Sequence, residues 1–322
     1  MSPRLGVYSG KELGDYGYEE KPWFLPDRLD TFLAEFRARG LEERVTMLPA
    51  RPAADAEILL FHTPAHLERV RRLCAANVGA LDHGPTFARR TVEIAATHMV
   101  GAVLDATAKI LSGELQRAFV PIAGFHHAHA SEARMYCLYN DAAIAITSLL
   151  QHGIPKIGYV DIDVHHGDGV YTAFAADPRV IIADLHEDGH TLWPHSPEAP
   201  GQGPVSGERD ATGAGAAVGT KLNLPLVAGA TDTEFDRAWG EAEAFLEAQK
   251  PDFVVYVSGV DGLGGDPMAH LCLTPASLAK ATTRLREMAN RHAEGRLLVL
   301  GGGGYEKANL GPGWGAVVEA LL

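Results

Sequence analysis

Between Gly158 and Val170 the chain reads GYVDIDVHHGDGV, with Asp161, Asp163 and His165 at every second position. In an extended segment that spacing puts all three side chains on one side. Two carboxylates and an imidazole on one edge, followed by a turn at Gly167 and Gly169, are donors suited to a divalent cation. A buried strand running into a polar turn is the plainer explanation of the same pattern. Buried carboxylates are costly unless paired or metal-bound, however, and the stretch reads as part of a metal centre.

Three other polar clusters follow apolar runs in the same way: GFHHAHA at Gly124–Ala130, GVDGLGGDPM at Gly259–Met268 and GGGGYE at Gly301–Glu306. Asp266, between Gly265 and Pro267, sits on a rigid turn and is expected to join Asp163 and His165. That set supplies two oxygens and one nitrogen and leaves a position for water. A turn-capping aspartate would look the same in isolation. His126 and His127 are adjacent and diverge, which suits one proton-transfer residue and one electrostatic neighbour. Tyr305 follows four glycines, where a phenol can lean over a site and donate to a developing oxyanion. No Walker lysine follows that run and it is not GxGxxG, so phosphate binding is not expected.

The elements that must carry these clusters alternate between short apolar strands and amphipathic helices. Strands are predicted at 5–8, 45–48, 119–122, 157–164, 180–185, 221–226, 253–257 and 297–300. Helices are predicted at 27–38, 64–73, 86–111, 141–152, 169–175, 233–250, 275–292 and 314–322. Such alternation implies an α/β fold with a parallel sheet covered on both faces, and in open parallel sheets ligands bind beyond the carboxyl ends of strands. The four clusters should therefore converge. No repeat, charge block or linker divides the chain, which reads as one domain over 1–322.

Of the 322 residues 46% are hydrophobic and 21% charged, ample for a core. The formal charge of −13 disfavours direct nucleic-acid or anionic-membrane binding and tolerates cationic partners such as lysine-containing tails. Cys74, Cys137 and Cys272 lie far apart without a CxxC pair, which fits a reducing compartment. The start lacks the pattern of a secretory leader, and no apolar run is expected to span a bilayer. A soluble cytoplasmic protein is expected; the oligomeric state is left open.

The combination of HHA, YVDIDVHHGDGV, GDPM and LGGGGY resembles the zinc-dependent histone deacetylase family, whose bacterial relatives include acetoin utilisation proteins and acetylpolyamine amidohydrolases. The resemblance runs from about Asp15 to Gly311. It implies a three-layer α/β/α arginase/deacetylase-like fold around a mostly parallel sheet of about eight strands. It further implies one catalytic Zn2+ on Asp163, His165 and Asp266. His127 paired with Asp168 resembles the general base and acid, His126 paired with Asp161 its electrostatic partner, and Tyr305 the carbonyl-polarising residue. Asp82, in the turn ALDHGP, matches a rim aspartate that holds the substrate backbone. Tyr136 matches an aromatic wall of the acyl-lysine tunnel; Leu273 is aligned with a gatekeeper position, and Gly303 is assigned to the substrate. A structural K+ or Na+ would use Asp161, Asp163, His165, Asp184 and Leu185.

The chain departs from the family pattern in several places. Met135 replaces the usual glycine before the tunnel aromatic, Phe125 the usual tryptophan, and Lys21-Pro22 a His-Pro, although Arg28 is kept. A loop rich in small residues runs from about Ser196 to Thr212 near the expected rim. The resemblance implies hydrolysis of an N-acyl-lysine amide in proteins or peptides, with a small acylated amine such as an acetylpolyamine as the alternative substrate. Leucine rather than glutamate at position 273 favours acyl-lysine. A catalytically silent acyl-lysine binder and a two-manganese ureohydrolase are weaker readings, because every catalytic residue type is present and Tyr305 would lack a role in the latter.

Overall fold

The short apolar runs form the strands β1 (Leu5–Ser9), β2 (Thr46–Pro49), β3 (Arg117–Val120), β4 (Ile157–Asp161), β5 (Val180–Glu187), β6 (Lys221–Leu226), β7 (Phe253–Val257) and β8 (Leu297–Leu300). In this computed structural model, which describes residues 4–194 and 206–322, they make one sheet in the order β2-β1-β3-β8-β7-β4-β5-β6. Every pairing is parallel. A sheet covered by helices on both faces has no polar side, which is why β3, β4, β5, β7 and β8 are buried along their whole length. The fold is α/β, with the expected eight strands.

The strands preceding the four polar clusters, β3, β8, β7 and β4, are consecutive neighbours at the centre of the sheet. Parallel pairing sends all their carboxyl ends to one edge, so the clusters meet there.

Four expectations change. The strand predicted over 157–164 ends at Asp161, and residues 163–165 form a bend. The helix predicted from Thr86 spans Arg90–Leu111. Thr86 instead lies in a turn, its N–H and hydroxyl both bonded to Asp82. The last helix is longer than predicted, Lys307–Leu321, and contains Pro312. Its glycines look like breakers in sequence but serve close packing: a Cβ on Gly311 would lie 2.7 Å from Glu35 Cβ, and one on Gly313 2.6 Å from Val260 Cγ1. Finally, Arg90–Leu111 is long and apolar enough to cross a membrane, contrary to expectation. Here it packs on β3, β8 and neighbouring helices, with thirteen of its residues buried.

Candidate active site

Asn140 and Asp141 open the helix Asp141–Gln151 and clamp the histidine loop. The Asp141 carboxylate accepts the Gly124 and Phe125 N–H groups at 2.7 and 2.8 Å, and Asn140 Nδ2 donates to the His126 and Ala128 carbonyls. The clamp delivers His126 and His127 edge to edge, their Nε2 atoms 3.1 Å apart. His126 Nδ1–H donates to Asp161 Oδ2 at 2.7 Å, and His127 Nδ1–H donates to Asp168 Oδ1 at 2.8 Å. Both carboxylates expected to pair with the histidines are thus in place.

The two imidazoles are driven apart electrostatically. Burial would strip the proton from His126, but Asp161, Asp163 and Asp184 outweigh it and hold the ring up at about 10. Burial, together with the charge on His126, pushes His127 down to about 3 against the pull of Asp168. One ring is a fixed positive charge and its neighbour a neutral base. Groups pushed apart in this way are the pattern of a divided acid–base pair.

Asp163 and His165 lie beyond the end of β4, in a bend rather than in extended strand, and Asp261 gathers with them in a group that does not include Asp266. One ligand atom each from Asp163, His165 and Asp261 falls within 4.8 Å of the others, and all three residues are buried. His165 Nδ1 faces Asp163 Oδ1 at 3.1 Å and Asp261 Oδ2 at 3.2 Å. A single proton cannot bond both oxygens well, and among the described residues Asp261 Oδ2 has no aligned hydrogen bond. Burial and the charge of Asp163 push Asp261 up to about 7. Burial would also lower His165, yet Asp163 and Asp261 overcome it and raise it to about 10. The field that traps a proton there would equally attract a divalent cation, which would displace it. Two carboxylates, one imidazole and an orphaned buried oxygen fit such an ion.

Asp266 has a different task. Its Oδ2 accepts the Tyr305 and Glu306 N–H groups at 2.7 and 3.0 Å, and its Oδ1 accepts that of Met268 at 2.9 Å. It anchors the Tyr305 backbone, and its charge is also felt by Asp261 and His165. Both aspartates follow β7 on one Gly-rich loop and differ little in local sequence. Asp261 stands in the same cluster, GVDGLGGDPM, and nothing local singled it out.

The glycine run ending at Gly304 is held from behind by Arg28, which donates to the Gly302 and Gly304 carbonyls, and by Trp314 Nε1, which donates to Gly301 O. Gly303 N–H donates to Asp163 Oδ2 at 2.6 Å. A Cβ on Gly303 would sit 2.0 Å from Asp261 Oδ2, so only glycine allows this approach. Burial raises the Tyr305 phenol well above its ordinary range, which keeps it an O–H donor.

Above these groups opens a pocket lined by Phe24, Phe125, Met135, Tyr136 and Tyr305, with His126, His127, Asp163 and Gly303 at its base. Tyr136 stacks on Phe24 with ring centroids 4.6 Å apart. Tyr136, Gly303 and Tyr305 thus take pocket positions. Leu273 does not: it is buried, in a bridge with Leu263, away from the pocket lining. That bridge lies on the loop behind Asp261, which turns Leu273 into the core. Asp82 is at the rim, but its oxygens are occupied by Gly84 N, Thr86 N, Thr86 Oγ1 and Met135 N.

Of the residues expected to hold a monovalent cation, Asp161 and Asp184 face each other in the β4–β5 register and Leu185 follows in β5. The Asp184 carboxylate is paired with His186 Nδ1 at 2.6 Å and Gly167 N at 2.9 Å.

Two residues that sequence reasoning passed over complete the wall beside His127. Arg134 donates to Asp168 Oδ2 and lies 2.8 Å from His129 Nε2. Its guanidinium sits over the Trp193 ring, which in turn meets His127 edge-on with centroids 4.6 Å apart. Trp193 lies far from the motifs, and Arg134, although only four positions past the histidine cluster, has no local feature that marks it. From the long loop, Ser196–Val205 lies outside the described residues.

Comparisons with known proteins agree with this geometry. Residues 23–321 match the family described as histone deacetylase domain. The chain is 28% identical to the acetoin utilization protein AcuC of Staphylococcus xylosus, over 100% of this chain and 83% of that one. It is 32% identical to a histone deacetylase-like amidohydrolase of Pseudomonas aeruginosa, over 88% and 72%. With polyamine deacetylase HDAC10 of Danio rerio it shares 29% identity over 92% of this chain but 44% of the longer relative. The solved HDA15 HD domain superposes with a TM-score of 0.88 at 25% identity, covering 99% of this chain and 89% of that one. A match of that extent, on a sheet whose central strands deliver these side chains to one edge, places the chain in the histone deacetylase family of hydrolases.

Proposed function

We propose that the protein is a zinc-dependent deacylase that hydrolyses the amide of Nε-acyl-lysine or of a small acylated amine with a similar aliphatic stem. The observation that carries this reading is the meeting of a neutral His127 and a charged His126 with the Asp163–His165–Asp261 cluster beside a pocket lined by aromatic rings. Asp163, His165 and Asp261 would hold the zinc, in place of the set containing Asp266. When bound, it would polarise the amide carbonyl and acidify the attacking water.

The chain's own groups then have defined tasks. Asp168 fixes the tautomer of His127 by accepting its Nδ1–H, which leaves Nε2 to take the proton of the water attacking the amide carbon. His127 returns that proton to the leaving nitrogen, so amide and water become carboxylate and amine. His126, charged and locked on Asp161, stabilises negative charge building beside it. The Tyr305 O–H donates to the developing oxyanion. Phe24, Phe125 and Tyr136 line the path of the stem and exclude water. Leu273 no longer favours one substrate over the other, since it does not reach the pocket.

Turnover of acyl-lysine peptides, free Nε-acetyl-lysine and acetylpolyamines by zinc-loaded and chelator-treated protein tests this reading. Zinc-dependent release of the amine from at least one class is expected. No turnover of any acylated amine by the zinc-loaded protein would overturn it.

A further inference from the structure

At the rim, Arg134 to Cys137 form a tight turn closed in both directions, Arg134 N to Cys137 O at 3.1 Å and Cys137 N to Arg134 O at 2.8 Å. Its two central residues, Met135 and Tyr136, both have positive φ, 40° and 65°. That is the backbone of a type I′ turn, where Asn-Gly is the favoured pair because side chains resist left-handed conformations. Here neither residue is glycine, so the surroundings must hold the turn in place.

The holding groups centre on Asp82. Its Oδ2 accepts Met135 N–H at 2.9 Å and the Thr86 hydroxyl at 2.5 Å, and Thr86 Oγ1 in turn accepts Tyr136 N–H at 2.8 Å. Its Oδ1 accepts Gly84 N–H at 2.9 Å and Thr86 N–H at 3.1 Å. On the far side, the Tyr16 hydroxyl donates to Tyr136 O at 2.7 Å. A carboxylate offers about four acceptor positions, and all of those on Asp82 are taken by its own chain. The turn so held places Met135 and Tyr136 in the pocket wall, with Met135 Sδ 3.4 Å from the point where a Gly84 side chain would begin.

We propose that Asp82 is a positioning residue that holds the Met135–Tyr136 turn as a wall of the pocket and does not grip the substrate's backbone, so that the pocket takes acylated amines by their aliphatic stem whether or not a peptide flanks it. The proposal rests on the deacylase reading for its substrate, and on backbone geometry for the clasp. An acylated amine lacking any peptide amide offers every feature the described wall can recognise: an amide for the floor and a methylene stem for the aromatic rings.

The experiment compares N-acetylcadaverine, which has the acetyl-lysine stem and no backbone, with acetyl-lysine inside a hexapeptide. Wild type, Asp82→Ala, Met135→Gly and the double variant are measured for kcat, KM and melting temperature. Wild type is expected to process both substrates with kcat/KM within about tenfold. Asp82→Ala should lower kcat on both alike, by about tenfold to a hundredfold, as misplaced walls misalign the stem. Met135→Gly should restore part of that loss and raise the melting temperature of Asp82→Ala, because glycine adopts the turn unaided. Thr86→Val, which removes only the hydroxyl relay, should give a milder loss of the same pattern if Asp82→Ala fails to fold. A loss confined to KM for the hexapeptide, with acetylcadaverine unaffected, would show Asp82 holding substrate backbone and overturn the proposal. If wild type turns over no acylated amine, the deacylase reading fails and the substrate half falls with it. The melting temperatures still judge the clasp: coupled effects of the two substitutions support it, and additive ones overturn it.

Discussion

At the floor of the pocket the polar side chains extend from loops that leave four adjacent central strands, whereas the rim is made by the segments at 82–86 and 134–137 and by Trp193. The floor inherits its geometry from the sheet. Parallel neighbours in register fix where β3, β8, β7 and β4 end, and short loops have little freedom after that. The rim has no such frame: its turn is strained at Met135 and Tyr136 and is kept in place by side chains from distant segments. Substitutions in the floor should therefore cost the most activity, while those in the rim should change rates more mildly.

The sharpest test of the floor sets Asp261 against Asp266, five positions apart in the sequence. Asp261→Ala should lose zinc and lower turnover by about a thousandfold or more, since an orphaned ligand set cannot activate water. Asp266→Ala should keep its zinc and lose only about tenfold to a hundredfold, through misplacement of Tyr305. Elemental analysis beside turnover reads both; full zinc occupancy in Asp261→Ala would return the ligand assignment to open question. Next in size is the histidine pair. His127→Ala should cost about a hundredfold to ten-thousandfold, and more than His126→Ala, because only His127 both accepts and donates the proton. Equal, mild losses at unchanged metal content would argue against divided roles.

Tyr305→Phe should lower kcat by about a hundredfold to a thousandfold while substrate affinity changes much less, since the phenol acts on the developing oxyanion. Single-turnover and binding measurements separate the two, and near-normal turnover would exclude the role. The smallest effect belongs to the rim. Arg134 neutralises part of the Asp168 charge that favours protonation of His127. Arg134→Gln should let His127 protonate more readily and move the acid limb of kcat/KM upward by less than about one pH unit. A shift in the opposite direction would rule out this electrostatic link.

Most of the floor is legible in the sequence. The spacing of Asp161, Asp163 and His165 marked a polar cluster even though the strand ends at Asp161, and each of the four clusters followed an apolar run. Strand boundaries at 253–257 and 297–300 were read without error, because buried parallel strands are continuous apolar runs between breakers, and the boundaries of the mixed edge strand 221–226 were read as well. The last helix was cut short at its glycines, whose close packing against Glu35 and Val260 cannot be seen in one dimension. The choice between Asp261 and Asp266 was equally hidden. Both are loop aspartates among glycines, and only the folded path shows which carboxylate meets His165 and which meets the Tyr305 backbone.

By itself the sequence determined the α/β class, the edge of the sheet where chemistry would gather and the residue types available there. Those properties follow from local periodicity and from the rule that strands of a parallel sheet end together. Tertiary structure alone decided the third member of the Asp163–His165 cluster, the opposite protonation of His126 and His127, and the use of Asp82 as a clasp for Met135 and Tyr136. Each depends on distances between segments far apart in the chain and on burial that strengthens charges held close together. Neither quantity has a local signature in the order of the residues.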